Sequence, residues 1–124
     1  GTPPDEFLHL YDVLQRAQRE QVNACLPGTP AEEIDRIGRE IITGEGYGQY
    51  FIHRTGHGIG VEAHEEPYIV EGNKIPVTSG NVFSVEPGIY IPDKWGARIE
   101  DIVAVTDHEP HSLNTVDHDL AVLS

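Results

Sequence analysis

Residues 53–67 read HRTGHGIGVEAHEEP and hold three histidines, three glycines and three glutamates. Imidazoles and carboxylates are the side chains that hold divalent ions and move protons near neutral pH. His57 follows His53 at a spacing of four, which would set both on one face of a helix. Gly56, Gly58 and Gly60 weaken any helix there, and Arg54 stands where a zinc-protease motif of that kind carries glutamate. A strand or turn is expected instead, with glycines letting the backbone pass close to a neighbour. Taken singly, His53, His57 and His64 are each more readily structural than catalytic.

Two further groups carry chemistry. Glu86 interrupts the apolar run VFSVE just before a proline, and Glu100 interrupts ARIEDIVAV at mid-length. Alternate residues of a strand share a face, so Arg98 and Glu100 point one way and Asp101 the other. A carboxylate buried in an apolar strand needs a cation beside it. Arg98 supplies one positive charge against two carboxylates. The residues alone leave two readings open: a buried salt bridge, or a divalent ion held by His57, Glu86 and Glu100.

The elements that must position these groups fall into two kinds. Residues 3–25 read as a helix, with apolar positions at Phe7, Leu10, Tyr11, Leu14, Ala17, Val22 and Cys25. Pro3 and Pro4 suit its start, Asp5 and Glu6 its positive end, and Pro27-Gly28 its stop. A second helix is expected after Thr29-Pro30-Ala31-Glu32, which matches a capping box. Its stripe is Ile34, Ile37, Ile41 and Ile42, and Gly44 and Gly46 end it. From Tyr47 onward the runs are short and β-like: 82–86, 88–92 and 97–105. The last two are expected to form a hairpin across PDKWG. Helices first and strands after predict an α+β fold with an antiparallel sheet. The tail is polar through DHEPHSLNT and ends in the short apolar run DLAVL, and His108, His111 and His118 are read as exposed.

The chain has 124 residues, one domain's worth, and a net charge of −13 from 21 acidic and 8 basic residues. Nucleic acid and anionic membrane are excluded as partners, because both would be repelled. One cysteine, Cys25, permits no intrachain disulfide and no cysteine-based zinc site. It suits a reducing compartment, so a cytoplasmic location is expected. No apolar run is long enough to span a bilayer, and no signal peptide is visible. The sequence has no methionine and opens GTPPDEF, which reads as the middle of a longer protein.

HRTGHGIGVEAHEEP, SVEPGIYIP and GARIEDIVAVT resemble, in order and spacing, the later half of the pita-bread metallopeptidases. That family includes methionine aminopeptidase, prolidase and aminopeptidase P. PGIYIP followed by the RIED block looks like the Xaa-Pro branch, prolidase or aminopeptidase P. The resemblance covers residues 1–124 and implies a partial pita-bread fold, two N-terminal helices packed on a curved antiparallel sheet. It implies hydrolysis of the peptide bond preceding proline, on a peptide whose second residue is proline.

It also implies a ligand set. Two divalent ions, Mn or Co first and Zn or Fe next, would be held by His57, Glu86 and a bridging Glu100. Among the catalytic residues, His64 would contact the scissile carbonyl and His53 would line the proline pocket. Glu86 would also carry a proton to the leaving nitrogen, and Arg98 would orient the acidic ligands. The family's two aspartate ligands lie upstream of the first helix, and no aspartate here occupies that context. The chain alone is therefore expected to bind metal weakly and to hydrolyse little, while the longer protein is active. An incomplete sheet and open apolar surface predict a homodimer. Two competing functions share the fold: a non-catalytic binding domain, and a metal-free amidinohydrolase resembling creatinase. Both are disfavoured by the retained set of His57, Glu86 and Glu100.

Overall fold

A computed structural model describes all residues 1–124. Two helices lead: α1, Asp5–Asn23, and α2, Ala31–Gly44. A 3₁₀ turn, Gly48–Tyr50, follows. Seven strands come next: β1 Gly56–Gly58, β2 Glu65–Ile69, β3 Val82–Val85, β4 Gly88–Ile91, β5 Trp95–Arg98, β6 Asp101–Ala104 and β7 His111–Ser112. Five of them form an antiparallel sheet in the order β2-β1-β3-β6-β7, and β4 pairs with β5. The α+β expectation holds. No helix is long and apolar enough to cross a membrane.

α1 is two residues shorter at each end than its apolar pattern suggests. It starts after Pro4, whose carbonyl accepts the amides of Phe7 and Leu8, and it ends before Cys25. Its buried face is less apolar than the pattern implies, because Gln18 and Gln21 are buried with Leu10, Val13, Leu14 and Ala17. The capping box expected at α2 does not form. The cap residue is Pro30, without a side-chain hydrogen bond. The free amides of Ala31 and Glu32 instead donate to the carbonyls of Ile75 and Asn73, and the Glu32 carboxylate accepts the Gly72 amide. A neighbouring loop supplies the partners that a local motif otherwise would. The helices meet closely at Gly38, where a Cβ would lie 2.2 Å from the Gln21 side chain.

The run 97–105, expected as one strand, is two. β5 belongs to the two-stranded ribbon and β6 to the large sheet, with Ile99 and Glu100 between them. Pro87 on the facing arm explains the break, since it has no N–H to give a ladder. The register nonetheless runs straight through: Val85 opposes Asp101 and Gly88 opposes Arg98. Residues 82–104 are thus one long hairpin with a gap in its pairing. Ile99 still donates to the Pro87 carbonyl across that gap, at 3.3 Å. The turn at Pro92–Lys94 is tight, and Asp93 takes φ 60°, a region that aspartate tolerates better than most residues.

Two apolar clusters flank this gap. One joins Cys25, Ile34, Ile69, Phe83, Val85 and Val103, and the other joins Leu10, Leu14, Ala17, Ile42, Phe51, Ile89 and Ile99. Each fully buried Leu, Ile or Phe contributes about 1.5–3 kcal/mol. Buried polar residues fall between the clusters along both helices and both arms of the hairpin. Gln18 and Gln21 of α1 lie between Ala17 and Cys25, and Asp35 of α2 between Ile34 and Ile42. Glu86 lies between Val85 and Ile89, and Asp101 between Ile99 and Val103. A polar seam crosses the molecule at the level of the hairpin gap.

Burial pushes the Cys25 thiol up to about 12, from an ordinary 9.0. Its thiolate population at pH 8 is then about 10³-fold below that of a free thiol. Alkylation by iodoacetamide is expected to be slower by at least that factor until the chain unfolds. A labelling rate within tenfold of free cysteine would contradict the burial. Because the folded value is the higher one, the thiol favours the folded state fully below about 9 and loses that contribution as pH rises towards 12.

Candidate active site

The gap in the hairpin is where the site lies. Continuing the register from Val85–Asp101 to Gly88–Arg98 sets Glu86 opposite Glu100. Both carboxylates line a cavity of about 620 Å³, together with His53, Arg54, His57, His64, Tyr68, Val70 and Arg98. Every residue singled out from the sequence, His53, His57, His64, Glu86, Arg98 and Glu100, meets there. Their environments differ. Both lie between strands rather than within one, but Glu86 is buried and Glu100 is exposed. The expectation of a buried carboxylate therefore holds for Glu86 and fails for Glu100, because the Pro87 break opens that arm to solvent.

Glu86 is the hub. Its Oε1 accepts the Ser84 hydroxyl at 2.9 Å and lies 3.3 Å from His57 Nε2, and its Oε2 accepts Arg98 at 3.0 Å. The Glu86 amide donates to the Thr55 carbonyl at 2.7 Å, which fixes its backbone. Ser84 serves both sides, since its Oγ also accepts the His57 amide at 3.1 Å. The His57 ring is oriented through Nδ1, which donates to the Gly58 carbonyl at 3.0 Å and leaves Nε2 facing Glu86. His64 stands edge-on to His57, with ring centroids 4.5 Å apart. β1 can lie this close to β3 because Gly56 has no side chain; a Cβ there would sit 1.7 Å from the Ser84 carbonyl oxygen.

Glu86 and Glu100 repel one another across the gap. The Glu100 carboxyl is raised above its ordinary value, first by desolvation where it faces the cavity and then by the charge of Glu86. Of the two arginines that line the cavity, Arg98 is paired with Glu86 and Arg54 lies over the Tyr68 ring. His53 is lowered, first by burial and further by the positive charge of Arg98 and Arg39, against the hydrogen bond to Arg54 and the charge of Glu86. The shift favours the uncharged His53 ring. Its Nδ1 donates to the Arg54 carbonyl at 2.7 Å, and its buried Nε2 has no partner.

A divalent ion fits the chemistry of this donor set in part. An imidazole nitrogen directed at one carboxylate, with a second carboxylate across the gap, supplies borderline and hard donors and negative charge. No group of three His, Cys, Asp or Glu side chains within the chain is arranged to hold an ion unaided.

Several residues that hold the site were missed from the sequence. Asp35 of α2 is buried, and its Oδ1 accepts both the amide and the hydroxyl of Thr55, at 3.2 and 2.8 Å. Arg39 grips Asp35 with two bonds, at 2.8 and 3.0 Å, and donates to the carbonyls of Phe51 and His53. Gln21 of α1 donates to the Thr55 hydroxyl at 2.8 Å. Residues 51–55, which carry His53 into the cavity, are thus clamped to both helices. The available signal was an aspartate on the apolar stripe of α2 with arginine four residues on.

The chain is similar to known proteins along nearly its whole length. The chain is 48% identical over 123 residues to the Xaa-Pro dipeptidase of Lactobacillus helveticus, covering 99% of this chain and 33% of that protein. It superposes on dipeptidase PepE from Mycobacterium ulcerans with a TM-score of 0.94 and 51% identity, over 97% of this chain and 32% of that one. Against the prolidase from Pyrococcus furiosus the TM-score is 0.92 and the identity 43%, over 94% and 35%. The chain spans about a third of the length of the curated relatives it matches. Two helices packed on an antiparallel sheet form the partial pita-bread fold shared with these structures. The family model itself matches residues 1–107, which take in both helices, the glycine-rich strand and the whole gapped hairpin. On that match the chain belongs to metallopeptidase family M24.

Proposed function

We propose that these residues form part of a longer peptidase that hydrolyses the bond preceding proline, as an Xaa-Pro dipeptidase or aminopeptidase P. The convergence of His57, Glu86 and Glu100 at one gap in one hairpin supports the reading most directly. These three would hold divalent ions, Mn or Co in the first place and Zn or Fe next, with two further carboxylates supplied from outside residues 1–124. Bound there, the ions supply Lewis-acid chemistry and make hydroxide available near neutral pH.

The chain's own groups do the rest. Glu86 accepts a proton through Oε1 and delivers it to the departing proline nitrogen. Arg98 aims Glu86 by holding Oε2. His64, exposed at the rim beside His57, donates a hydrogen bond to the carbonyl oxygen as charge develops on it. His53, flanked by Phe51 and Tyr90 at 5.0 and 5.8 Å, provides an apolar wall for the proline ring.

Metal removal tests the proposal. Dialysis of the longer protein against a chelator is expected to abolish release of proline from Xaa-Pro dipeptides. Added Mn or Co is expected to restore it. Undiminished hydrolysis in protein shown by elemental analysis to be metal-free would refute the reading.

A further inference from the structure

The tail that the sequence marks as exposed is tied into the back of the site. β5 ends at Arg98 and β6 begins at Asp101, so no strand ladder sets the direction of Glu100 between them. Its anchor is the residue that follows. Asp101 is buried on the opposite face, and both of its oxygens are taken: Oδ2 by Gln18 of α1 at 2.9 Å, and Oδ1 by Nε2 of His118 at 3.2 Å. Half-buried rather than exposed, His118 corrects the sequence reading. Direct bonds to α1 and to Asp101 keep it out of solvent.

His118 is itself held at its backbone. Its carbonyl accepts the Tyr11 hydroxyl at 2.8 Å and the Gln15 amide at 2.7 Å, both from α1. The tail also fixes the next residue along: Ile102 donates to the Asn114 side chain at 2.6 Å and accepts the Leu113 amide at 2.8 Å. Residues 113–118 thus run as a strap across α1 and the start of β6. They contain no helix or strand, so these bonds define their course.

We propose that His118 is a positioning residue for Glu100: it pins Asp101 against α1 and so sets the angle at which the preceding carboxylate enters the cavity. The role needs an N–H donor at Nε2. It rests on the proposed function for its catalytic consequence, though not for its structural one. Partners that orient a ligand from behind typically contribute 10–100-fold in metal affinity.

In the longer enzyme, His118→Ala is expected to weaken Mn binding about tenfold by chelator competition. It should lower kcat at limiting metal, leave KM for the peptide unchanged and shift the melting temperature little. His118→Gln, whose side-chain amide places an N–H at similar reach, should restore affinity. Unchanged affinity in His118→Ala, a glutamine variant as defective as the alanine one, or an affinity loss that only tracks melting would each overturn the proposal. Hydrogen exchange of residues 99–102, measured on this chain without metal, separates the two readings. Faster exchange there in His118→Ala supports the strap even if the wild-type enzyme proves to lack Xaa-Pro hydrolysis. Unaltered exchange overturns it whatever the activity.

Discussion

Glu86→Ala in the longer protein is expected to lower Xaa-Pro hydrolysis by about 10³-fold, within the range that a positioned acid–base group contributes. Three groups converge on this carboxylate, and only one of them is a cation. Ser84 and Arg98 set its plane, and the amide bond to Thr55 sets its backbone. His57 faces its remaining direction. Removing it leaves Arg98 unpaired, but the arginine side chain is 41% exposed and recovers solvation. The melting temperature should therefore change little while activity collapses. Glu86→Gln is the sharper variant, because it keeps the shape and the Ser84 contact but loses the charge. If the glutamine enzyme retains activity within tenfold of wild type, Glu86 is neither ligand nor proton carrier.

Asp35→Ala is expected to destabilise the chain by about 3 kcal/mol, the low end for breaking one side of a buried pair. The low end applies because the Arg39 side chain is 29% exposed and can turn to water. The Thr55 hydroxyl cannot, and it loses its acceptor inside the seam, while the Thr55 amide keeps the Ile69 carbonyl at 3.0 Å. Urea denaturation should show the loss as a lower midpoint with an unchanged slope. Arg39→Lys should be milder in stability yet release residues 51–55, since an ammonium cannot reach Asp35, Phe51 and His53 together. A wild-type midpoint for Asp35→Ala would mean that the clamp holds nothing the apolar clusters do not already hold.

Much of the architecture was legible before any coordinates. Apolar spacing in α1 and α2, branched residues after Tyr47 and the glycines of GHGIG each reflect a local constraint. A helix stripe, a strand's preference and a close backbone approach all leave marks within a few neighbouring residues. The same holds for the facing of Arg98 and Glu100 against Asp101, which follows from alternation alone. The grouping of His57, Glu86 and Glu100 was one of two readings that the residues left open and the one that the motif resemblance favoured; the three line one cavity.

What sequence alone determined, then, is the two helices, the β-like runs after Tyr47, the glycine-lined strand and the identity of the chemical groups. Tertiary structure alone decided that the 97–105 run divides, that Glu100 opens to solvent while Glu86 does not, and that His118 reaches Asp101. It also decided the polar seam of Gln18, Gln21, Asp35, Thr55 and Ser84. Each of these residues meets a hydrogen-bond partner between 14 and 83 positions away, and the pairs Asp35–Arg39 and Ser84–Glu86 are local. A hydrogen bond across that distance depends on where the two apolar clusters meet, and no pattern within a single element encodes that meeting.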